Sequence, residues 1–251
     1  GDLQTWIDRT IRPKSAALAV VGDIDVAEAE KLVRSWFDGW EGAPDPRGQA
    51  PLPGTSPPDG PVQVLHVDRP GLKQTEIRLG CSMPTSSQTD VIALRLLGAR
   101  ITQKLGNLAR SSLGGSYGFH GGAIVHRQAG GLDVSGTVDG HALNRVLAVA
   151  RKELEDLAAV NVSEDELGLL KWHQGLASNL RYTTNSELAR GLVSVRLSAL
   201  PVDAIQRFPE LLAAVTPEDL ARVGAACRKT AVLVVSGDPD VVTRALQATA
   251  R

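Results

Sequence analysis

"KTAVLVVSGDPDVVTRALQ", residues 229–247, reads as a short apolar strand, a Gly-Asp turn and a helix. A similar stretch, "SAALAVVGDIDVAEAEKLV", occupies residues 15–33. Gly22-Asp23 aligns with Gly237-Asp238, and Asp25 with Asp240. The segments upstream match as well. "GDLQTWIDRTIRP" opens with Asp2-Leu3, and "TPEDLARVGAACRK" carries Asp219-Leu220. Each copy therefore predicts a helix, a strand, a turn and a second helix. Thr216-Pro217-Glu218-Asp219 is a helix start, with a Thr N-cap, Pro at the first helical position and an acid at the third. The second copy closes a complete unit. The first closes a unit whose earlier part is not among the 251 residues. Residues 1–43 are therefore expected to be the tail of an upstream, homologous domain. "APDPRGQAPLPGTSPPDGP" follows and is dense in Pro and Gly, so residues 44–61 are expected to be a linker. Residues 62–251 then form one complete domain.

Within that domain, "VQVLHVD" (62–68) alternates like a strand, with Val62, Val64 and His66 on one face. "QTEIRLGCS" (74–82) is a second strand. "DVIALRLLGARITQKLGNLAR" (90–110) has helical periodicity. "SYGFHGGAIV" and "GLDVSGTVD" read as an antiparallel pair joined near Gln128–Gly131. Helices are predicted at 142–160, at 163–180 with Ser163 and Glu166 as a capping box, and at roughly 185–199, 203–214 and 217–227. A strand at 230–236 and a helix at 239–249 complete the set. Hairpins combined with consecutive helices predict an α+β fold. The expected form is a two-layer sandwich, a mixed and mostly antiparallel sheet with helices on one face.

Composition narrows the function classes. Apolar residues make up 43% and charged residues 22%, enough for a sizeable core. With 27 basic and 28 acidic residues the net charge is −1, and no basic surplus points to nucleic acid or an anionic membrane. No apolar run is long enough to span a bilayer. Two cysteines, Cys81 and Cys227, exclude a disulfide framework and lack CxxC spacing. Two buried free thiols are expected rather than one bridge. Neither composition nor the cysteines choose between periplasm and cytoplasm.

Several motifs invite a chemical reading and fail it. Gly114-Gly115-Ser116-Tyr117-Gly118 spells G-x-S-x-G. A nucleophile elbow needs a strand before the Ser and a helix after it, and here the predicted order is reversed. The same glycines spell no phosphate-binding loop and lead into a strand. HExxH and HxxEH are both absent, and no two histidines fall three or four apart on a helix. His120 and His126 would share a strand face, as two exposed histidines without a third ligand. His66, His141 and His173 stand alone. Glu153, Glu155 and Asp156, and Glu164-Asp165-Glu166, read as solvated helix faces. Arg110 and Tyr117 remain, seven residues apart. By spacing alone they are a cation at a helix C-terminus and an edge-strand aromatic.

A family resemblance changes that weighting. Pro13 through Asp25, P-x-x-A-x-L-x-V-V-G-D-x-D, is similar to the close of the first domain of the insulinase/pitrilysin zinc peptidases. "RPGLKQTEIRLG" (69–80) resembles the opening of their next domain. "LLGARITQKLGNLARSSLGGSYGF" (96–119) resembles their helix followed by R-E-x-x-G-x-x-Y. "VSEDELGLLK" (162–171) and "VTPEDLARV" (215–223) resemble two later landmarks, so the series covers nearly the whole chain in order. The resemblance implies homologous α+β domains paired around a chamber. One carries HxxEH and a distal Glu that hold zinc; the next carries an Arg and a Tyr that contact the peptide near the scissile carbonyl. Arg110 and Tyr117 occupy those two positions, while Ser111 replaces the family Glu. The implied function is the C-terminal, substrate-binding half of a zinc metalloendopeptidase. This chain alone is then inactive, with no catalytic residue and no metal ligand of its own. Zinc is expected in an upstream domain or a partner subunit, and the implied partners are a peptide and that HxxEH-bearing domain, in a homo- or heterodimer. The alternative is a non-catalytic partner or scaffold subunit with no peptide chemistry.

Overall fold

The computed structural model describes residues 1–13, 16–41, 62–84, 87–112, 114–125 and 129–249. The linker expected at 44–61 lies outside the described residues, as does His126. Along the chain the first elements are α1 (Asp2–Thr10), α2 (Val26–Phe37), β1 (Gln63–Asp68), β2 (Gln74–Pro84), α3 (Gln88–Gly106), β3 (Phe119–Val125) and β4 (Ala129–Asp139). Then come α4 (Gly140–Asp156), α5 (Glu164–Arg181), α6 (Asn185–Leu197), α7 (Phe208–Ala214), α8 (Pro217–Arg228), β5 (Val232–Gly237) and α9 (Pro239–Thr249). The chain forms two compact units, residues 1–55 with 177–207, and residues 56–176 with 208–251.

The larger unit holds the sheet. Its strand order is β1-β5-β2-β4-β3. β1 runs parallel to β5, and the other neighbours are antiparallel. The repeated segment thus supplies a strand paired on both sides: Leu233 lies opposite Val64 on β1 and Leu79 on β2. Alternation sorts the two faces. Thr75, Ile77 and Leu79 of β2, Leu132, Val134 and Val138 of β4, and Leu233 and Val235 of β5 are buried. The apolar ones among them join one core with Leu97, Ile101 and Leu105 of α3, Leu143 and Leu147 of α4, and Leu220 and Val223 of α8. Each fully buried Leu or Ile contributes about 2 kcal/mol. Between the buried positions, Glu76, Arg78 and Thr137 are exposed, so the second sheet face is open. The larger unit has the expected α+β fold, with a mixed, mostly antiparallel sheet.

Helix ends follow their local chemistry. The Ser87 hydroxyl accepts from the Asp90 N–H at 3.1 Å. Thr216 and Asp219 form a reciprocal capping box, with bonds of 3.3 and 3.1 Å. Ser163 accepts from the Glu166 N–H at 3.2 Å, but the Glu166 carboxylate turns instead to Arg100 Nε at 2.8 Å. Gly98 is where α3 crosses β3 at backbone contact. A Cβ there would lie 2.8 Å from Gly122 Cα, and this closeness brings the end of α3 alongside the sheet edge.

Three expectations are corrected. Glu153 does not sit on a solvated face: its side chain is 1% exposed. Arg100 Nη1 donates to it at 2.9 Å, and Lys104 Nζ binds its other oxygen. In the interior, two cations of α3 take the place of water around the Glu153 carboxylate. Glu153→Gln is expected to lower stability by about 2 kcal/mol through that lost compensation. Urea unfolding measures this, and an unchanged midpoint would show that the network contributes nothing.

The cysteines are not free thiols. Cys81 of β2 and Cys227 of α8 are joined in a disulfide, with Cα atoms 5.4 Å apart, inside the normal span of such a bridge. The two residues meet because α8 packs on the sheet next to β2. Thr230 Oγ1 fastens the same junction, accepting from the Ser82 N–H at 2.7 Å and donating to the Ser82 carbonyl at 2.5 Å.

The third correction concerns the first copy of the repeat. Residues 16–21, which align with residues 231–236 and so with nearly all of β5, pair with no strand among the described residues. A strand exists through its ladder, and β5 has one on each side, whereas residues 16–21 have none. The helix of that copy does form. Asp25 caps α2 by accepting from the Glu28 N–H at 2.8 Å, yet no residue of α2 is buried. Trp36 is 81% exposed and Val26 77%. Among the described residues no helix is long and apolar enough to cross a membrane.

Candidate functional site

Arg110 does not sit in regular α-helix. Where α3 ends at Gly106, the chain widens into a π-helical turn, Asn107–Ser112, which carries Arg110. Such turns are rare and concentrate at functional positions. Past it, the Gly115 N–H donates to the Ala109 carbonyl at 3.0 Å, and the Gly115 carbonyl accepts from the Asp139 N–H at 2.8 Å. The segment is thereby tied both to the helix it leaves and to the end of β4. Tyr117 follows, then Gly118 at φ +128°, a conformation L side chains rarely adopt. That residue swings the chain from the turn into β3.

Ser116 has a structural task. Its hydroxyl accepts from the Gly118 N–H at 3.0 Å and lies 3.3 Å from the Gly118 carbonyl. This is a local turn, with a helical turn before it and a strand after it, the reverse of a nucleophile elbow.

Arg110 and Tyr117 line the same cleft, of about 550 Å³, in the larger unit. Gln103 and Asn107 of α3 and its extension continue one wall; Glu76, His120, Ser135 and Thr137 of the open sheet face form the opposite one. The volume lies in the range of small-ligand sites. Tyr117 is 93% exposed, and Arg110 is exposed too. Among the described residues neither is engaged in a hydrogen bond or ion pair. A free guanidinium with its N–H fork and a free phenol therefore stand on one cavity, able to donate to an oxygen placed between them.

The charges beside the cleft are arranged in pairs. Arg78 grips Asp133 with both ends of its fork, Nε–Oδ1 2.6 Å and Nη2–Oδ2 2.5 Å. That hydrogen bonding holds the Asp133 carboxyl below its ordinary value, against the opposing effect of burial. His120 is exposed, with Nε2 3.3 Å from Ser135 Oγ. Among the described residues no group of three or more His, Cys, Asp or Glu is placed to hold a metal ion. The described residues thus offer no set that fits a zinc ion, and HxxEH occurs nowhere in the sequence.

Sequence reasoning singled out Arg110 and Tyr117 but missed their neighbours. Gln103, Asn107 and Arg110 recur at i, i+4 and i+7, a polar stripe readable from helical spacing. Glu76 was readable only as a solvent-side residue of β2. That it shares a cleft with Arg110 depends on the strand order, which puts only β4 between β2 and the edge strand β3.

No curated protein matches the chain. Its fold is similar to that of a peptidase M16 inactive domain from Pseudomonas fluorescens, with 16% identity and TM-score 0.68 over 86% of this chain and 52% of that one. A protease from Helicobacter pylori is similar with 16% identity and TM-score 0.73, over 94% and 58%. A chain of complex III2 from Candida albicans is similar with 12% identity and TM-score 0.66, over 91% and 57%. The chain thus spans between half and three fifths of the length of these relatives, and at such identities the likeness is one of fold. The model of the family described as "Peptidase M16 inactive domain" matches residues 1–173, well over half the chain, and the protein therefore belongs to the M16, or insulinase/pitrilysin, peptidase family.

Proposed function

We propose that this chain is the C-terminal, substrate-binding half of an M16-type zinc metalloendopeptidase, and that Arg110 and Tyr117 hold the peptide near the bond to be cleaved. The observation that carries this reading is their exposure, without partners among the described residues, on one cleft. A guanidinium and a phenol donating to the scissile carbonyl favour charge developing on that oxygen. The zinc chemistry lies outside this chain, in an HxxEH-bearing domain upstream or in a partner subunit.

The smaller unit supports the first arrangement. Residues 16–37 repeat the β5–α9 segment, yet their strand has no ladder among the described residues and α2 buries nothing. Exposed aromatic and aliphatic side chains such as Trp6, Trp36 and Val26 are the kind of surface another domain covers. Residues 1–43 then complete an upstream homologous domain, and 44–61 link it to the domain at 62–251.

A scaffold subunit without peptide chemistry is the second reading, supported by the fold likeness to a complex III2 chain. Two measurements on the purified chain separate the two. Metal analysis is expected to find no stoichiometric zinc. Fluorescence anisotropy with labelled extended peptides is expected to detect binding that weakens in Arg110→Ala. One tightly held zinc would contradict the assignment of the metal to another domain. Absence of peptide binding would favour the scaffold.

A further inference from the structure

Glu76 is the cleft carboxylate that forms no ion pair among the described residues, although the Arg78 guanidinium lies near enough to feel its charge. It stands on β2 between the buried Thr75 and Ile77, so its side chain is directed to the open face of the sheet. The cation nearest in sequence on that face, Arg78, is engaged by Asp133 through both ends of its fork. Arg110 lines the same cleft, yet forms no ion pair with Glu76 among the described residues. The Glu76 wall otherwise carries the hydroxyls of Ser135 and Thr137 and the imidazole of His120. A carboxylate in a concave, partly enclosed wall attracts a cation more strongly than one on a convex surface, because less water screens it.

We propose that Glu76 is a specificity-determining residue that selects peptides bearing a lysine or arginine side chain beside the bond held by Arg110 and Tyr117. The proposal rests on the peptide-binding reading of the cleft and adds a substrate class to it. The two charges divide the work. Arg110 donates to a neutral carbonyl oxygen, which every peptide supplies. Glu76 meets a side chain, which differs from one peptide to the next. An acidic side chain at that position faces a like charge, and a neutral one leaves the carboxylate hydrated by water alone.

The test uses the full chain and three labelled peptides that differ at one position, carrying lysine, norleucine or glutamate. Anisotropy titrations give the ratios of their affinities. The wild type is expected to prefer lysine over norleucine roughly fivefold and to bind the glutamate peptide most weakly. In Glu76→Gln the lysine-to-norleucine ratio is expected to fall within about twofold, and in Glu76→Lys to invert in favour of glutamate. Glu76 is exposed, so thermal melting serves to verify that both variants fold. Peptides that bind without charge preference, or a lysine preference that survives Glu76→Gln, would overturn the role of Glu76 and leave the cleft a peptide site. Binding of none of the three peptides would overturn both.

Discussion

Arg110→Ala or Tyr117→Phe, made in the assembled peptidase, is expected to lower turnover by about 10²–10³-fold, the cost of losing one preorganised donor to a developing oxyanion. The loss should fall on kcat and on kcat/KM together, since the bond strengthens as charge grows on the carbonyl oxygen. Tyr117→Phe is the cleaner variant, because it removes one hydroxyl and leaves the ring. Both side chains are exposed and, among the described residues, take part in no hydrogen bond, ion pair or ring contact that the substitution would remove. Melting temperature and zinc content should therefore stay at wild-type values. Kinetics unchanged on several peptides would remove these residues from the reaction and leave the scaffold reading. A parallel fall in zinc content would instead show that the substitution acted through assembly.

Breaking the Cys81–Cys227 bridge is expected to have the largest effect on stability. The two residues are 146 positions apart, so the bridge closes a long loop in the unfolded chain. The chain-entropy relation assigns a loop of that length about 5 kcal/mol, while measured values for disulfides cluster near 2–4 kcal/mol. For a protein of this size that corresponds to a fall in Tm of roughly 10 °C. Cys81→Ser/Cys227→Ser, or reduction, followed by calorimetry measures it. The Thr230–Ser82 hydrogen bonds at the same junction should keep α8 against the sheet, so the reduced protein is expected to melt earlier rather than be unfolded at room temperature. Two titratable thiols in the unreduced protein would contradict the bridge itself. So would a Tm unmoved by reductant.

Much of the fold was readable because its signals are local. Alternation in β2, caps at Thr216 and Ser163, and the periodicity of α3 and α4 each lie within a few residues. What depended on distant parts of the chain was not readable. Residues 16–21 and β5 are nearly alike as sequences, yet only the second forms a strand, because pairing partners decide and they lie elsewhere. Glu153 sits in register with Ala150 and Leu154 on the buried stripe of α4, a local hint that it is not a surface acid. The cations that permit its burial lie on α3, about fifty positions earlier, and could not be paired with it from spacing. The cysteines pose the same difficulty across 146 positions. In the cleft, Arg110 and Tyr117 were found through a motif resemblance, whereas Glu76 needed the order of strands.

The structure of the assembled peptidase with an uncleaved peptide bound tests the assignment most directly. Arg110 and Tyr117 Oη are expected within hydrogen-bonding distance, about 2.7–3.2 Å, of the carbonyl oxygen of the scissile bond. A peptide whose scissile carbonyl is held by other residues, with this cleft left to solvent, would contradict it.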